Sequence, residues 1–311
     1  MAPQVASRRQ PSRPHVYELD PLRVVTILCV AGVHVAAFTV FLNHSTLGTE
    51  IQNAFVVSLH YTRELFLFVT GFALTYVYYG KPFQFKRFWA KRSIGTILPY
   101  CIWSAIYIWV NLPQLSFGQY LSTTFFAILN GSASYQLYYI LLTIQFYIIL
   151  PVFLLFLQWV KYHPWTTLSI SFLIQLVLLY LDYHSLQAGS LASTGVWQFI
   201  NQYQGSFILT YQFYFILGGF AALYIQPARS FVRRHGMWIA SGFAVALLVL
   251  WVHFFVQINV YHEAMGYATS VLQPIMTFYS LTVIVFLCWL ASLWTKQSNQ
   301  GSQPKWYRFW H

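Results

Sequence analysis

The sequence predicts an all-α protein, a polytopic bundle of about eight membrane-spanning helices with its N-terminus in the cytoplasm. Composition, the lengths of the apolar runs and the distribution of positive charge each point to this fold class. Of 311 residues, 58% are hydrophobic and only 7% are charged, whereas a soluble domain is about 25% charged. A chain of this composition has too few polar residues to cover a water-soluble core, so we expect a membrane protein.

The apolar runs give the number of spans. A hydrocarbon core about 30 Å thick requires roughly 20 apolar residues in a helix. The runs that qualify are 21–42, 62–80, 94–111, 134–158, 165–181, 207–225, 237–257 and 268–294. The longest outer loops are then expected at 43–58, 112–133 and 182–206.

Positive charge sets the orientation. With the N-terminus inside, every Lys and Arg that lies between the runs falls in a cytoplasmic segment. The outer loops carry Glu50, Asp182 and Glu263, and Arg63 lies within the second run. This is the positive-inside pattern of a membrane protein. It explains the formal net charge of +11 by topology and attraction to membrane lipids, so we expect no nucleic-acid partner.

The chain has a simple domain organisation. Residues 1–15 are rich in Pro and Arg and are expected to form a disordered cytosolic tail. A single membrane domain follows over 16–295, with a second cytosolic tail at 296–311. The three cysteines lie in separate spans, which is a poor pattern for a disulfide framework or a metal site; they are Cys29, Cys101 and Cys288.

The first span carries two ionisable residues on one face. Arg23 and His34 have ten residues between them, so a helix places them on the same side about 16 Å apart. We expect Arg23 at the cytosolic edge, His34 near mid-membrane, Asp20 paired with Arg23 and Glu18 at the interface. An ionisable residue deep in a span is a functional hypothesis by default, and histidine is the usual general base.

Structural interpretations of these two residues stay open. Arg23 is equally compatible with an interfacial anchor whose charge reaches the headgroups. His34 is also compatible with a hydrogen bond to a neighbouring helix.

A second polar group opens the next span. Arg63 and Glu64 lie at its outer end, which indicates either a pore-facing pair or a hydrogen-bonded link to another helix. His60 precedes them by one turn and is compatible with an acceptor contact or with an interfacial role. Tyr138 and Tyr211 are interpreted, with the other aromatic residues, as interface belts and packing.

Four segments together resemble one family. "ELDPLRVVTILCVAGVH" (18–34) resembles the opening signature of the membrane acyltransferases of family 3, which has an acidic pair, an arginine, ten residues and a histidine. "LHYTRELFLFVTGFAL" (59–74) is similar to the family's second helix, with Thr70 in place of its serine. "RFWAKRSIGTILPY" (87–100) and "YQLYYILLTIQFYIILPVF" (135–153) resemble later helices of the same family.

The chain departs from the family pattern in two places. Many members have a second basic residue three positions after the arginine that matches Arg92, where this sequence has Gly95. The resemblance covers 16–294, and the chain reaches His311 without the helix pair that usually follows in the family. We therefore expect a shortened form.

The resemblance implies an O-acyltransferase of the bacterial cytoplasmic membrane. Such enzymes move an acyl group, usually acetyl, from acyl-CoA to a hydroxyl of a cell-surface polysaccharide or lipid-linked glycan. Acyl-CoA is then a donor substrate, and no permanently bound cofactor or metal is expected. The implied catalytic residues are His34, Arg23, Asp20 and Glu18; the donor is assigned to Arg23, Arg92, Lys91 and Arg87, and the acceptor to Arg63, Glu64, Thr70 and His60.

Two other functions remain compatible with the sequence. Intramembrane Arg and His residues also occur along conduction paths, so a glycan exporter or flippase without chemistry is one alternative. An inactive, shortened member of the family is the other. The absence of inverted repeats and the dense motif in the first helix favour the enzyme, and the oligomeric state has no signal in the sequence.

Overall fold

The computed structural model describes residues 13–40, 46–189 and 195–300. Within these ranges every regular element is a helix and no strand occurs. The α-helices are α1 (Leu19–Val40), α2 (Leu47–Leu59), α3 (Thr62–Tyr78), α4 (Phe85–Arg92), α5 (Leu98–Asn111), α6 (Phe117–Asn130), α7 (Tyr138–Val160), α8 (Pro164–Leu181), α9 (Gly195–Tyr203), α10 (Gln212–Leu223), α11 (Ile225–Arg234), α12 (Gly236–Asn259), α13 (Met265–Ala268) and α14 (Pro274–Gln300).

The helices confirm the predicted all-α membrane architecture. In the described part of the chain, 6 helical segments are long and apolar enough to cross a membrane: Leu19–Ala36, Phe85–Asn111, Tyr138–Val160, Pro164–Gln187, Gly236–Asn259 and Pro274–Thr295. The bent pair Gly195–Ser206 and Ile208–Leu223 makes a seventh if it is one span. The remaining predicted run coincides with α3, which has 17 residues, so the expected count of about eight is approximate.

The predicted outer loops are partly helical, which corrects the sequence analysis. α2 lies within 43–58 and ends at Leu59, α6 lies within 112–133, and α9 lies within 182–206. The polar residues that indicated loops are instead helix caps: Thr46 begins α2 and accepts a hydrogen bond from the Thr49 amide, and Ser116 forms a capping box with Gln119. Gly131 closes α6 with a left-handed φ of 71°.

Contacts between distant segments gather the basic loops at one end of the bundle. Arg13 donates to the carbonyl of Tyr79 just after α3, 2.8 Å away. The Tyr224 hydroxyl, between α10 and α11, donates to the carbonyl of Lys161 after α7 at 3.1 Å. These segments are the ones that the charge pattern assigns to the cytoplasm, so we call this end, after that prediction, the cytosolic end and the other the outer end.

Small residues bring α3 and α10 into backbone contact. A Cβ at Gly71 would clash with the carbonyl of Phe215, and a Cβ at Gly218 would clash with the carbonyl of Phe68. Close approach through small residues is typical of helix pairs in membranes. Arg63 at the start of α3 contacts Tyr211 just before α10, and a Cβ at Gly219 would meet Thr75 near the end of α3, so the two helices run side by side in the same direction.

The predicted tails fall largely beyond the described ranges. Residues 1–12 and 301–311 lie outside them, so the expected domain boundaries stay predictions. α14 continues through residues 296–300, which were assigned to the second tail.

Candidate active site

His34 lies toward the outer end of α1. Its ring meets the ring of Tyr135 edge-on, with the centroids 4.9 Å apart. Tyr135 precedes α7, and α7 ends at the cytosolic end beside Lys161, so Tyr135 lies at the opposite end. The expected position of His34 near mid-membrane, about 16 Å from Arg23 along α1, stays a prediction.

Arg23 sits at the cytosolic end of the same helix, as predicted. Its guanidinium nitrogen Nη1 is 3.8 Å from Asp20 Oδ1, which confirms the predicted local pair. His15 Nε2 lies 2.9 Å from the other Asp20 oxygen, a contact that was not foreseen. The Arg23 side chain is 45% exposed.

The stripe that joins Arg23 and His34 runs along the edge of the packed face of α1. Leu22 and Thr26, on the packed side, are 3% and 0% exposed. Ile27, between Arg23 and His34 on their own side, is 58% exposed. The two residues therefore border a surface that is open on one side rather than an enclosed chamber.

Glu18 is anchored by a residue that was assigned only to topology. Arg229 of α11 donates from Nη2 to Glu18 Oε2 at 2.7 Å. The side chains of Arg229 and Glu18 are 29% and 15% exposed. The partners are 211 positions apart, so no spacing rule in the sequence foretells the pair.

Of the three α4 residues assigned to the donor, only Arg92 turns toward the bundle. Its guanidinium carbon lies 4.7 Å from the centre of the Tyr147 ring and 5.5 Å from that of Phe88. Such cation–π contacts hold the planar group in a defined orientation. Arg87 and Lys91 are exposed and supply charge at the cytosolic surface.

Arg63 links three parts of the outer end. Its Nη1 donates to the hydroxyls of Tyr138 and Tyr211, each at 3.0 Å. Its guanidinium carbon also lies 5.9 Å and 5.6 Å from the centres of these two rings. Of the two structures that the sequence left open, the hydrogen-bonded link to other helices is the one observed. Tyr211 is 1% exposed, so it is a buried partner and no part of an interface belt.

Three buried polar atoms in this region have no hydrogen-bond partner among the described residues. They are His60 Nδ1, Arg63 Nη2 and Glu64 Oε2. The whole Glu64 residue is 2% exposed. Buried polar groups in proteins are nearly always paired, so each exception requires an explanation. We call these three residues the outer polar cluster.

One short segment joins the outer polar cluster to the first helix. Tyr135 contacts His34, and Tyr138, three residues later, accepts the hydrogen bond from Arg63. Thr70 lies deeper along α3, partly buried, where its side chain contacts the phenol of Tyr139. The structure thus brings His34, His60, Arg63 and Glu64 toward one end, with Thr70 deeper in the bundle, and leaves the residues assigned to the donor at the other: Arg23, Arg92, Lys91 and Arg87.

A comparison with known proteins identifies the family. A family model described as an acyltransferase domain matches residues 16–306, nearly the whole chain. No curated protein matches the sequence, and no solved structure matches it.

Proposed function

The chain belongs to this family of acyltransferases, and on that premise we propose that it is a membrane O-acyltransferase acting on an envelope glycan. It transfers an acyl group, acetyl in the first instance, from acyl-CoA to a hydroxyl of a cell-surface polysaccharide or lipid-linked glycan. Its place is the bacterial cytoplasmic membrane, which it crosses several times. The donor arrives from the cytosol and the acceptor from the outer side.

The observation that carries the proposal is the division of the polar residues between the two ends. His34 and Arg63 both contact the segment before and at the start of α7, through Tyr135 and Tyr138. The cations of α1 and α4 that are assigned to the donor lie at the opposite end, which the charge pattern assigns to the cytosol. A reaction whose anionic donor and glycan acceptor lie on opposite sides of a membrane requires such an arrangement.

The proposed donor site uses the cytosolic arginines. Arg23 and Arg92 hold the phosphates of acyl-CoA, because a guanidinium presents two parallel donors that match phosphate oxygens. Lys91 and Arg87 add charge at the entrance. The distance from Arg23 to His34 along α1 is about 16 Å, a gap that the extended pantetheine arm of the donor bridges.

The proposed acceptor site uses the unpaired atoms of the outer polar cluster. Arg63 Nη2 donates to a sugar oxygen and Glu64 Oε2 accepts from a sugar hydroxyl, so that a bound sugar satisfies both atoms. His60 Nδ1 and the Thr70 hydroxyl provide further polar contacts near the same end.

His34 carries the proposed reaction step. One ring nitrogen takes the proton of the acceptor hydroxyl while the oxygen attacks the thioester carbonyl; the C–O ester bond forms, the C–S bond breaks, and the thiolate of CoA leaves and is protonated. In the relay form of the step, the ring nitrogen attacks the thioester carbonyl, the C–S bond breaks, and the departing thiolate of CoA takes the imidazole proton. The acceptor oxygen then attacks the acyl-imidazole, the C–N bond breaks, and the hydroxyl proton passes to the released ring. Asp20 positions Arg23, and Glu18 fixes the cytosolic end of α1 through Arg229.

The test is the ester content of the surface glycan. A deletion strain is complemented with wild type, His34→Ala or the matched control His163→Ala, which changes an exposed histidine away from the proposed site. Purified glycan is examined by proton NMR before and after mild base. We expect base-labile acyl signals with wild type and His163→Ala and none with His34→Ala at equal protein level. Equal signals from all strains contradict the proposal, and loss of the glycan itself from the deletion strain indicates export.

A further inference from the structure

A basic cavity lies at the cytosolic end, apart from the proposed donor site. It has a volume of about 620 Å³ and opens between the residues before α1, helix α11 and the end of α14. The lining residues that matter here are Tyr17, Glu18, Arg229, Arg233, Arg234 and Thr295. We call it the cytosolic cavity. Its size is within the range of small-ligand sites.

The cytosolic cavity has an excess of positive charge. Arg229 is neutralised by Glu18 at 2.7 Å. Arg233 and Arg234, in the last turn of α11, have no ion pair within the described residues, and both are exposed. Two adjacent guanidinium groups repel each other, so an anion between or beside them lowers the electrostatic energy. Phosphate oxygens match their paired donors best.

The surroundings of the cytosolic cavity are those of a membrane boundary. α11 is amphipathic, and Phe231, on the same helix as the two arginines, is 55% exposed. Met237 and Trp238, at the start of the spanning helix α12, are 77% and 80% exposed. Exposed aromatic and apolar residues beside basic ones are typical of the headgroup region of a bilayer.

We infer that the cytosolic cavity binds the phosphate of an anionic phospholipid. Arg233 and Arg234 donate to its non-bridging oxygens, and the acyl chains follow the exposed apolar side chains of Phe231 and Trp238 into the bilayer. Basic pockets between helices at the cytosolic surface bind acidic headgroups for this reason. Acyl-CoA carries the same phosphate chemistry, but none of the four residues assigned to the donor lines this cavity.

A bound lipid also supports the first helix. Arg229 lines the cavity and at the same time donates to Glu18, which lies directly before α1. An occupied cavity therefore fixes the cytosolic end of the helix that carries His34.

The test is binding of fluorescent phosphatidylglycerol by the purified full-length protein in neutral detergent. Arg233→Ala/Arg234→Ala removes two charges from the cavity, and Lys81→Ala/Lys161→Ala removes two from the same face elsewhere. We expect the first pair to weaken binding on the order of tenfold or more and the second to leave it unchanged. Arg233→Lys/Arg234→Lys, which keeps the charge, should retain most of the affinity. Fluorescent phosphatidylcholine, whose headgroup has no net charge, should bind more weakly to the wild type.

Coenzyme A distinguishes the two sources of phosphate. Under the lipid assignment, coenzyme A does not displace phosphatidylglycerol, and the arginine pair binds coenzyme A as the wild type does. Displacement by coenzyme A, or loss of coenzyme A binding in the arginine pair, assigns the cavity to the donor and overturns the inference. Equal binding of phosphatidylglycerol by all variants also overturns it. Neither result bears on the acyl transfer proposed for His34, which is measured separately on the glycan.

Discussion

The two ends of the bundle hold their charged side chains in different ways. At the cytosolic end, Glu18 and Arg229 meet as an ion pair at 2.7 Å and are 15% and 29% exposed. At the outer end, Arg63 has no ion pair within the described residues and is held by two tyrosines, while Glu64 is 2% exposed. The Glu18–Arg229 pair is partly hydrated, whereas Arg63 and Glu64 are buried and carry atoms without a hydrogen-bond partner.

This difference indicates which charged side chains contribute most to the stability of the fold. Partly exposed ion pairs contribute up to about 1 kcal/mol because water and salt screen them. A buried polar atom without a partner costs about 1–3 kcal/mol, so a fold retains it only where the rest of the structure, or a ligand, compensates. The Glu18–Arg229 pair can therefore be replaced at little structural cost, whereas loss of the buried Arg63 guanidinium is costly.

The largest effect is expected for Arg63→Ala. The substitution removes two hydrogen bonds from a charged donor and leaves two tyrosine hydroxyls without the guanidinium that donates to them. The free energy of unfolding should therefore fall by about 3 kcal/mol or more. Thermal unfolding of the purified protein in detergent measures the change. Acyl transfer should be lost as well, because the arginine is part of the proposed acceptor site.

Arg87→Ala is the matched control for this comparison. Arg87 is exposed at the cytosolic end, and surface substitutions of this kind usually change stability by less than about 0.5 kcal/mol. Its melting temperature should equal that of the wild type. If both arginine variants unfold at the same temperature, the contrast between the two ends is wrong.

Glu64→Gln separates function from stability in the outer polar cluster. Glutamine keeps the volume and removes the charge, and burying an unpaired charge is more costly than burying an amide, so the melting temperature should stay the same or rise. Transfer from labelled acyl-CoA should fall at least tenfold, since the proposed contact to the sugar hydroxyl is weakened. Unchanged transfer in reconstituted vesicles excludes this carboxylate from the acceptor site.

Arg92→Lys tests the cytosolic end in turn. Lysine keeps the charge but loses the planar fork and its stacking on Tyr147, so we expect the KM for acyl-CoA to rise about tenfold. Lys91→Arg, one residue earlier and exposed, is the control and should leave this KM unchanged. A rise in the KM for the glycan acceptor instead would place Arg92 outside the donor site.

The fold followed from the sequence wherever the signal was local. Apolar run length predicted helices in all eight places, and the three-residue spacing predicted the Asp20–Arg23 pair. Polar caps were mistaken for loops at Thr46 and Ser116, because Ser and Thr favour both settings. A short helix between caps has too little periodicity to distinguish the two.

The sequence indicated which residues belong to the candidate site but not which residues they contact. Arg63 was selected from its position in an apolar run, yet its tyrosine partners are 75 and 148 positions away. The contact between His34 and Tyr135 joins residues 101 positions apart in the same way. Such contacts arise only from helix packing, here from the close approach of α3 and α10, and no spacing rule contains them.

The smallest effect is expected for the ion pair that anchors the first helix. Glu18→Gln, Arg229→Gln and the double variant form a double-mutant cycle, and its coupling energy should be about 0.2–1 kcal/mol. Raising the salt concentration should reduce this value, because exposed charges are screened, while the effect of Arg63→Ala should stay constant. A coupling energy of several kcal/mol that does not change with salt concentration would mean that the cytosolic end excludes water as the outer end does. The contrast between the two ends would then be wrong.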